Sequence, residues 1–280
     1  MLALLKRNFL LYFRNRSGVF FSLLGALISF VLYIIFLQKN LTDAWAQLPN
    51  SGPVLNNWLM SGTLAVTGIT TSLAALTQLV KDRERQVDQD LYLSDQGKWR
   101  LPFSYLTSAI IISFFMQVLM YVLMCGYFRE VPALSLLPEV LLIMLFSSLL
   151  SSLVNAIFVH FFQSVDSLGK FATIVGTASG FLVGTYVPLG VLPDFAQLLM
   201  KCTPATYIAS LYRQVLMKEA VSETFKGRDD LLREFQEKMG VQLKWQALLT
   251  KEQTYLIVLG GILLALGIWV SLAKRSNKRK

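Results

Sequence analysis

SGVFFSLLGALISFVLYIIFLQ, residues 17–38, runs for 22 residues without an Asp, Glu, Lys, Arg or His. A helix needs about 20 such residues to cross a hydrocarbon core of roughly 30 Å. Five further runs share this character: Val54–Val80, Leu101–Phe128, Val140–Val165, Phe171–Pro193 and Gln253–Ala273, with His160 the one exception. The pattern predicts an all-α membrane protein with six transmembrane helices, at about 17–38, 56–80, 103–128, 139–162, 171–188 and 254–273. Composition agrees, since 54% of the residues are hydrophobic and 15% charged, where a soluble domain carries roughly 25% charged residues.

The missing charges exclude a class of function. Pumps and ion-coupled carriers keep carboxylates, a histidine relay or paired charges within the bilayer, because such groups bind the coupling ion and are costly to retain otherwise. These spans hold no such set, so any uphill movement must draw its energy from outside the membrane. The net charge of +9 does not point to nucleic acid, because the Lys and Arg sit at span ends and form no continuous basic face.

Their placement predicts orientation. Fifteen Lys and Arg fall in the pieces read as cytoplasmic: Lys6, Arg7, Arg14 and Arg16, five in 81–100, Lys170, and five in the tail Lys274–Lys280. The two short opposite loops hold Lys39 and Arg129 alone. Both termini are expected inside, in a multi-pass protein of the plasma membrane. Segment 194–252, nine basic against eight acidic residues, falls outside, as long loops do largely regardless of charge. Ser17–Gln38 is too long for a signal-peptide core and is read as an anchor. Cys125 and Cys202 both fall near the outer side, so a bridge is possible, but two cysteines so far apart in sequence define no framework and are read as unpaired apolar residues.

Residues 1–16 form a separate element. Leu2, Leu5, Phe9 and Tyr12/Phe13 recur at helical spacing among Lys6, Arg7 and Arg14, which reads as an amphipathic helix in the headgroup region, meeting anionic lipid, or as a plain basic lead-in to the first span. The one substantial inside loop is KDRERQVDQDLYLSDQGKWR, Lys81–Arg100, with ten charged residues. Its first part lacks Gly and Pro and could continue the second span as helix. Leu91, Tyr92, Leu93 and Trp99 then offer apolar anchors within a charged rim that includes Arg83, Glu84, Arg85 and Asp88, as a docking element for a soluble partner would; a solvated connector is the alternative.

Within the spans the polar residues are small and neutral. Ala172, Gly176, Gly180 and Gly184 repeat every four residues, a face that lets another helix approach closely. Thr63, Thr67, Thr70 and Thr71 mark the second span, and Ser147, Ser151 and Asn155 the fourth, with Ser148 and Ser152 beside them. These stripes serve either interhelical hydrogen bonding or a route for an amphiphilic substrate. Catalysis finds no support: there is no G-x-x-x-x-G-K-[ST] loop, G-T-A-S-G at Gly176–Gly180 misses the G-x-S-x-G elbow, and one His with two scattered Cys makes no metal site.

The stretch after the fifth run is the recognisable one. Gly184-Thr-Tyr-Val-Pro188, Leu192-Pro193, Pro204-Ala-Thr-Tyr207 and Arg213 resemble the G-x-x-x-P, L-P, P-x-T-Y signature of membrane subunits of type 2 ABC exporters. Three prolines within 17 residues forbid one continuous helix and favour a Pro-rich re-entrant hairpin before the last span, buried against protein. The resemblance covers most of the chain: an amphipathic lead-in helix (1–16), a six-span domain (17–280), a charged loop after the second span (81–100) and an outer hairpin and cap (189–252). It implies a permease that binds two copies of a separate ATP-binding subunit, pairs with a second permease chain, and touches that ATPase through the loop at Lys81–Arg100. ATP and Mg would belong to the partner, with no cofactor in this chain. Here Glu84 is followed by Arg-Gln-Val where the family commonly has Gly-Thr, and Pro102 alone echoes its later Ser-Pro. In the outer segment, Asp229–Met239 places Leu232, Phe235 and Met239 on one helical face, predicting a helical cap. The length of that segment leans toward export of a drug, lipid, peptide or toxin, over a polysaccharide or teichoic-acid exporter. An ATPase-independent carrier or channel and a sensor or immunity component are the readings from other classes. A short permease with a separate ATPase is a common bacterial arrangement.

Overall fold

The computed structural model describes residues 1–45, 51–93, 97–129 and 134–279; for residues 92, 93, 97, 98, 134 and 276–279 the description is of the backbone alone. Among the described residues the chain is helical, with one isolated bridge, Lys244 to Leu248. Five helices are long and apolar enough to cross a membrane: Arg16–Ala44, Ser51–Glu84, Trp99–Phe128, Leu137–Val159 and Lys251–Arg275. The first is α2 (Arg16–Leu32) continuing through a π-helical turn at Tyr33–Leu37 into α3 (Gln38–Ala44), and the side chain of Asn15 caps it by accepting from the Gly18 amide.

The second, α4 (Ser51–Glu84), is the axis of the molecule and packs against α2, α6 (Gly97–Phe128), α7 (Leu137–Val159), α8 (Val165–Leu182) and α10 (Pro204–Leu216). Its outer half centres on Trp58, Leu59 and Met60, which are buried with Tyr212 and Phe235. Its inner half packs Leu73, Leu76 and Val80 against Tyr105, Leu106, Val159 and Trp269. The two clusters are two storeys of one core, named outer and inner after the orientation that the Lys and Arg distribution predicts. As Lys81–Arg85 lacks Gly and Pro, α4 runs on past the apolar stretch to Glu84, breaks where Gln86 takes a φ of 60°, and is followed by a short helix, α5 (Val87–Leu93).

The amphipathic segment is α1 (Leu2–Arg14), and it packs on the bundle through residues beside its apolar stripe. Leu4 and Asn8 are buried there, while Leu2, Phe9 and Phe13 of the apolar stripe are exposed.

The fifth apolar run departs from the expected span of 171–188. Helix α8 begins earlier, at Val165, where Ser164 accepts from the Ser167 amide, and stops at Leu182. Gly184 has a φ of 71°, and the amides of Thr185 and Tyr186 both return to the Gly180 carbonyl at 2.8 and 3.3 Å. Gly184 therefore terminates the helix, as glycine does beyond a C-cap, and does not extend the small-residue face. Asp166, Lys170 and a run of Gly, Ser and Thr dilute the apolar character of α8, which is not among the five.

Beyond it each proline stands at a helix start, where a missing N–H costs nothing. Pro188 precedes the 3₁₀ turn Leu189–Val191, Pro193 is the N-cap of α9 (Asp194–Lys201), and Pro204 opens α10. Two short helices complete this region, α11 (Lys218–Thr224) and α12 (Asp229–Lys238). In α12 the predicted face is the buried one: Phe235 and Met239 are closed off and Leu232 packs partly against them. The last helix is α13 (Lys251–Arg279).

Candidate functional site: an inner transmission end and a hydroxyl-lined groove

At the inner end of α4 the loop residues divide. Arg83 points inward, its guanidinium donating to the Phe162 carbonyl at 2.6 Å and the His160 carbonyl at 3.3 Å, which ties α4 to the α7–α8 connection. Glu84 accepts from the Val165 amide at 3.3 Å, at the N-terminal end of α8, where a carboxylate is favoured. Asp88 is buried and Leu91 packs against the inner core. Arg85 is exposed on the turn, and Trp99 is partly exposed, stacked toward Phe103, which in turn meets Trp269 at 5.0 Å. The Tyr92 and Leu93 side chains and residues 94–96 of the same loop lie outside the described residues.

The residue that organises this end escaped the sequence reading. Asp82, one acid among ten charges, is buried, and its carboxylate accepts from Arg7 at 2.8 and 2.9 Å, from Gln78 at 2.7 Å, and from the Tyr105 hydroxyl. Three elements, α1, α4 and α6, meet on one side chain. The hydrogen bonds to Asp82 raise the Arg7 pKa, so the pair stays ionised. A second polar bond beside it, Asn8 to Ser108 at 3.3 Å, holds α1 to α6.

The hydroxyl stripes singled out as a route lie inside the bundle. Thr63, Thr67 and Thr71 are closed off from solvent, and Thr67 and Thr71 donate back to the carbonyls four residues before them. Ser147 faces Gly68, and Asn155 donates to the Ile69 carbonyl at 2.9 Å and to Ser72 at 2.8 Å. Gln117 of α6 joins the seam, donating to Ser148 at 2.8 Å and accepting from Tyr212 of α10 at 2.8 Å. These residues bind α4, α6, α7 and α10 to one another. Ser151 and Asn155 also reach the wall of a crevice between α7 and α8.

The open hydroxyls sit at the edge of the same face of α4, where Thr70 and Thr77 follow Thr63 at seven-residue spacing. A groove of ≈ 700 Å³ runs between α2, α4 and α8, and its walls carry Thr70, Thr77, Thr173 and Thr177 among Leu24, Ile28, Leu73 and Phe181. Each of the four threonines donates its proton to the carbonyl four residues earlier, at 3.0 to 3.2 Å, leaving oxygen lone pairs toward the groove. Gly176 lines the groove, and a Cβ on Gly25 would sit 3.3 Å from the Gly176 carbonyl, so Gly25 is what brings α2 close to α8. Gly180 makes room instead for the Tyr186 ring of its own chain.

On the outer side, Arg213 is buried among carbonyls. It donates to Gly240 at 3.1 Å, to Gly184 at 2.8 Å and to Val183 at 3.1 Å, and lies 5.1 Å from the Trp58 ring, whose Nε1 donates to Met239 at 2.7 Å. The end of α8, the end of α12 and the start of α4 thus close on one guanidinium. Tyr207 accepts from Trp245 at 3.1 Å nearby. No disulfide joins Cys125 and Cys202.

A family profile described as ABC-2 family transporter protein matches residues 37–269, a stretch that holds the break after the second long helix and the proline-punctuated segment before the last. The chain belongs to the ABC-2 transporter family. It is accordingly a multi-pass membrane permease component of an ABC transporter, a membrane part and not itself a catalyst. No curated protein matches the chain. Within this ABC-2 permease the match spans α4 to α8, the proline segment and most of α13, and begins after α1 and its Arg7 clamp.

Proposed function

We propose that this permease is half of an ATP-driven exporter for an amphiphilic substrate, pairing with a second permease chain and working with two copies of a separate ATP-binding subunit. In this reading α8 is the sixth span, α9 and α10 form a re-entrant outer hairpin, and both termini face the cytoplasm of a bacterial cell, in line with the distribution of Lys and Arg. The observation that carries the substrate class is the ≈ 700 Å³ groove, apolar in its walls and studded with four threonine oxygens that have already spent their protons. Such a surface suits an apolar body with N–H or O–H donors. It suits a polysaccharide poorly, because sugar hydroxyls need many donors and acceptors and little hydrocarbon.

The break at Gln86 and helix α5 supply the element on which an ATPase would push, with Arg85 and Trp99 outward and Arg83 and Glu84 passing the movement to α8. Closure of the ATPase pair would then shift α4 and α8 together as a rigid-body change.

Purification of the tagged permease from its native membrane in mild detergent, followed by mass spectrometry and an ATPase assay, tests this. A stoichiometric Walker-motif protein should co-purify and should be lost when 85–93 is scrambled in a chain that still folds. A permease that emerges alone and without ATPase activity from several detergents would overturn the reading in favour of a carrier, channel or sensor.

A further inference from the structure

Between α7 and α8 lies a crevice of ≈ 450 Å³ that the groove does not use. It extends from Phe158 and Phe171, whose rings pack 5.5 Å apart at one end, to Leu150 and Leu182 at the other, where Cys202–Ala205, the turn between α9 and α10, forms its roof. Its rims face outward into the apolar belt, with Phe158 and Ile174 exposed. The polar groups in its wall are mostly occupied: Asn155 donates to α4, Ser179 to the Gly176 carbonyl and Thr203 to the Leu199 carbonyl.

We propose that this crevice is a binding site for one acyl chain of a phospholipid, with the ammonium of Lys201 available to its phosphate. Three dimensions agree. From Phe171 to Leu182 the α8 wall is about 16 Å long at 1.5 Å per residue, close to the roughly 15 Å that one leaflet contributes to a 30 Å core. The volume, ≈ 450 Å³, is room for about fifteen methylene-sized groups if each takes roughly the 30 Å³ of a water in liquid. The lining offers hydrocarbon and almost no free polarity, which fits a lipid tail and not a donor-bearing headgroup. Lys201, the residue before Cys202, makes no ion pair among the described residues and lies 6.0 Å from the Trp245 ring. A basic side chain beside an aromatic one, starting next to the roof residue Cys202 of an apolar slot, matches a phosphate above a buried tail.

The test is photolabelling of the purified permease in nanodiscs doped with a phosphatidylglycerol that carries a diazirine in one chain. Labelled peptides should concentrate on 150–158 and 174–182, several-fold above the exposed face of α6 at Phe115, Leu119 and Val122. Ala178→Trp, which fills the slot, and Ala205→Phe, which lowers its roof, should each remove that excess while leaving α6 labelling and thermal unfolding unchanged. Lys201→Ala should lower the excess for phosphatidylglycerol. Labelling of the slot no stronger than of α6, or an excess that survives both plugs, would overturn the site; an excess indifferent to Lys201→Ala would overturn the headgroup contact. The readout is lipid contact alone and does not depend on transport or on an ATPase partner.

Discussion

Arg7 holds Asp82 through two guanidinium bonds of 2.8 and 2.9 Å across 75 positions of sequence, joining the first helix to the inner end of the central one. The side chains are 29% and 4% exposed, so the carboxylate is buried while the cation keeps one edge in solvent. Removing a partner from such a pair leaves a buried charge uncompensated, at a cost of about 3 kcal/mol. Arg7→Ala should therefore lower the melting temperature in detergent by several degrees and accelerate tryptic cleavage at Arg14 and Arg16, because α1 loses its hold. Arg7→Lys keeps the charge without the fork and should recover part of the loss. An Arg7→Ala protein that melts and is cleaved like the wild type would remove the clamp from this account.

Arg213 is 1% exposed and donates to three carbonyls at the outer closure. A methionine in its place fills much of the volume but leaves those carbonyls without donors, at roughly 1 to 3 kcal/mol each. Arg213→Met should destabilise by at least about 3 kcal/mol, and Arg213→Lys by less, since one ammonium cannot reproduce the planar fork. Unfolding of the outer segment, followed by hydrogen exchange at 236–243, should precede global unfolding in both. Uniform protection there in Arg213→Met would show that the cap stands without the guanidinium.

Much of this architecture was legible from sequence, and what was hidden has a consistent cause. Charge-free runs mark the long helices because hydrocarbon tolerates no unpaired charge, and the want of Gly and Pro at 81–85 shows α4 continuing inward. Asp82 was invisible because nothing local separates it from Asp88 or Asp90; its partner lies 75 residues away. Gly184 misled because a four-residue repeat of small residues and a helix terminator both call for glycine, and φ alone tells them apart. The threonines of α4 carried a similar ambiguity. Thr63, Thr67 and Thr71 share a stripe closed inside the bundle, while Thr70 and Thr77, on the edge of the same face, open into the groove. Which side of a uniformly apolar helix faces its neighbours cannot be read from a pattern with so little contrast.

Gly62 and Thr185 make contact where α4 meets the loop after α8. A Cβ added to Gly62 would fall on the Thr185 hydroxyl oxygen, and that oxygen has no hydrogen-bond partner of its own. Gly62→Ala should destabilise by about 1 to 3 kcal/mol through overpacking. Thr185→Ala alone should cost little, and the double variant should regain at least about 1 kcal/mol of the first loss, as touching sites do. Equal losses for Gly62→Ala with and without Thr185 would place the strain elsewhere.

The groove yields the sharpest functional expectation. Thr70, Thr77, Thr173 and Thr177 give their protons to backbone carbonyls within their own helices, so they meet a ligand as acceptors. Valine is close in shape; it removes that acceptance together with the hydroxyl's bond to a helix carbonyl, which keeps its backbone N–H donor. Thr77→Val with Thr177→Val should leave the fold and basal ATPase rate of the reconstituted complex unchanged. Stimulation by amphiphiles bearing a free amine or hydroxyl should fall about tenfold in affinity, the loss of one net hydrogen bond of about 1.4 kcal/mol, while their fully methylated analogues should bind as before. If both series weaken equally, the threonines shape the groove and do not select its occupant. If neither weakens, the substrate travels by another path, and the buried stripe of α4 and α7 would have to open to provide one.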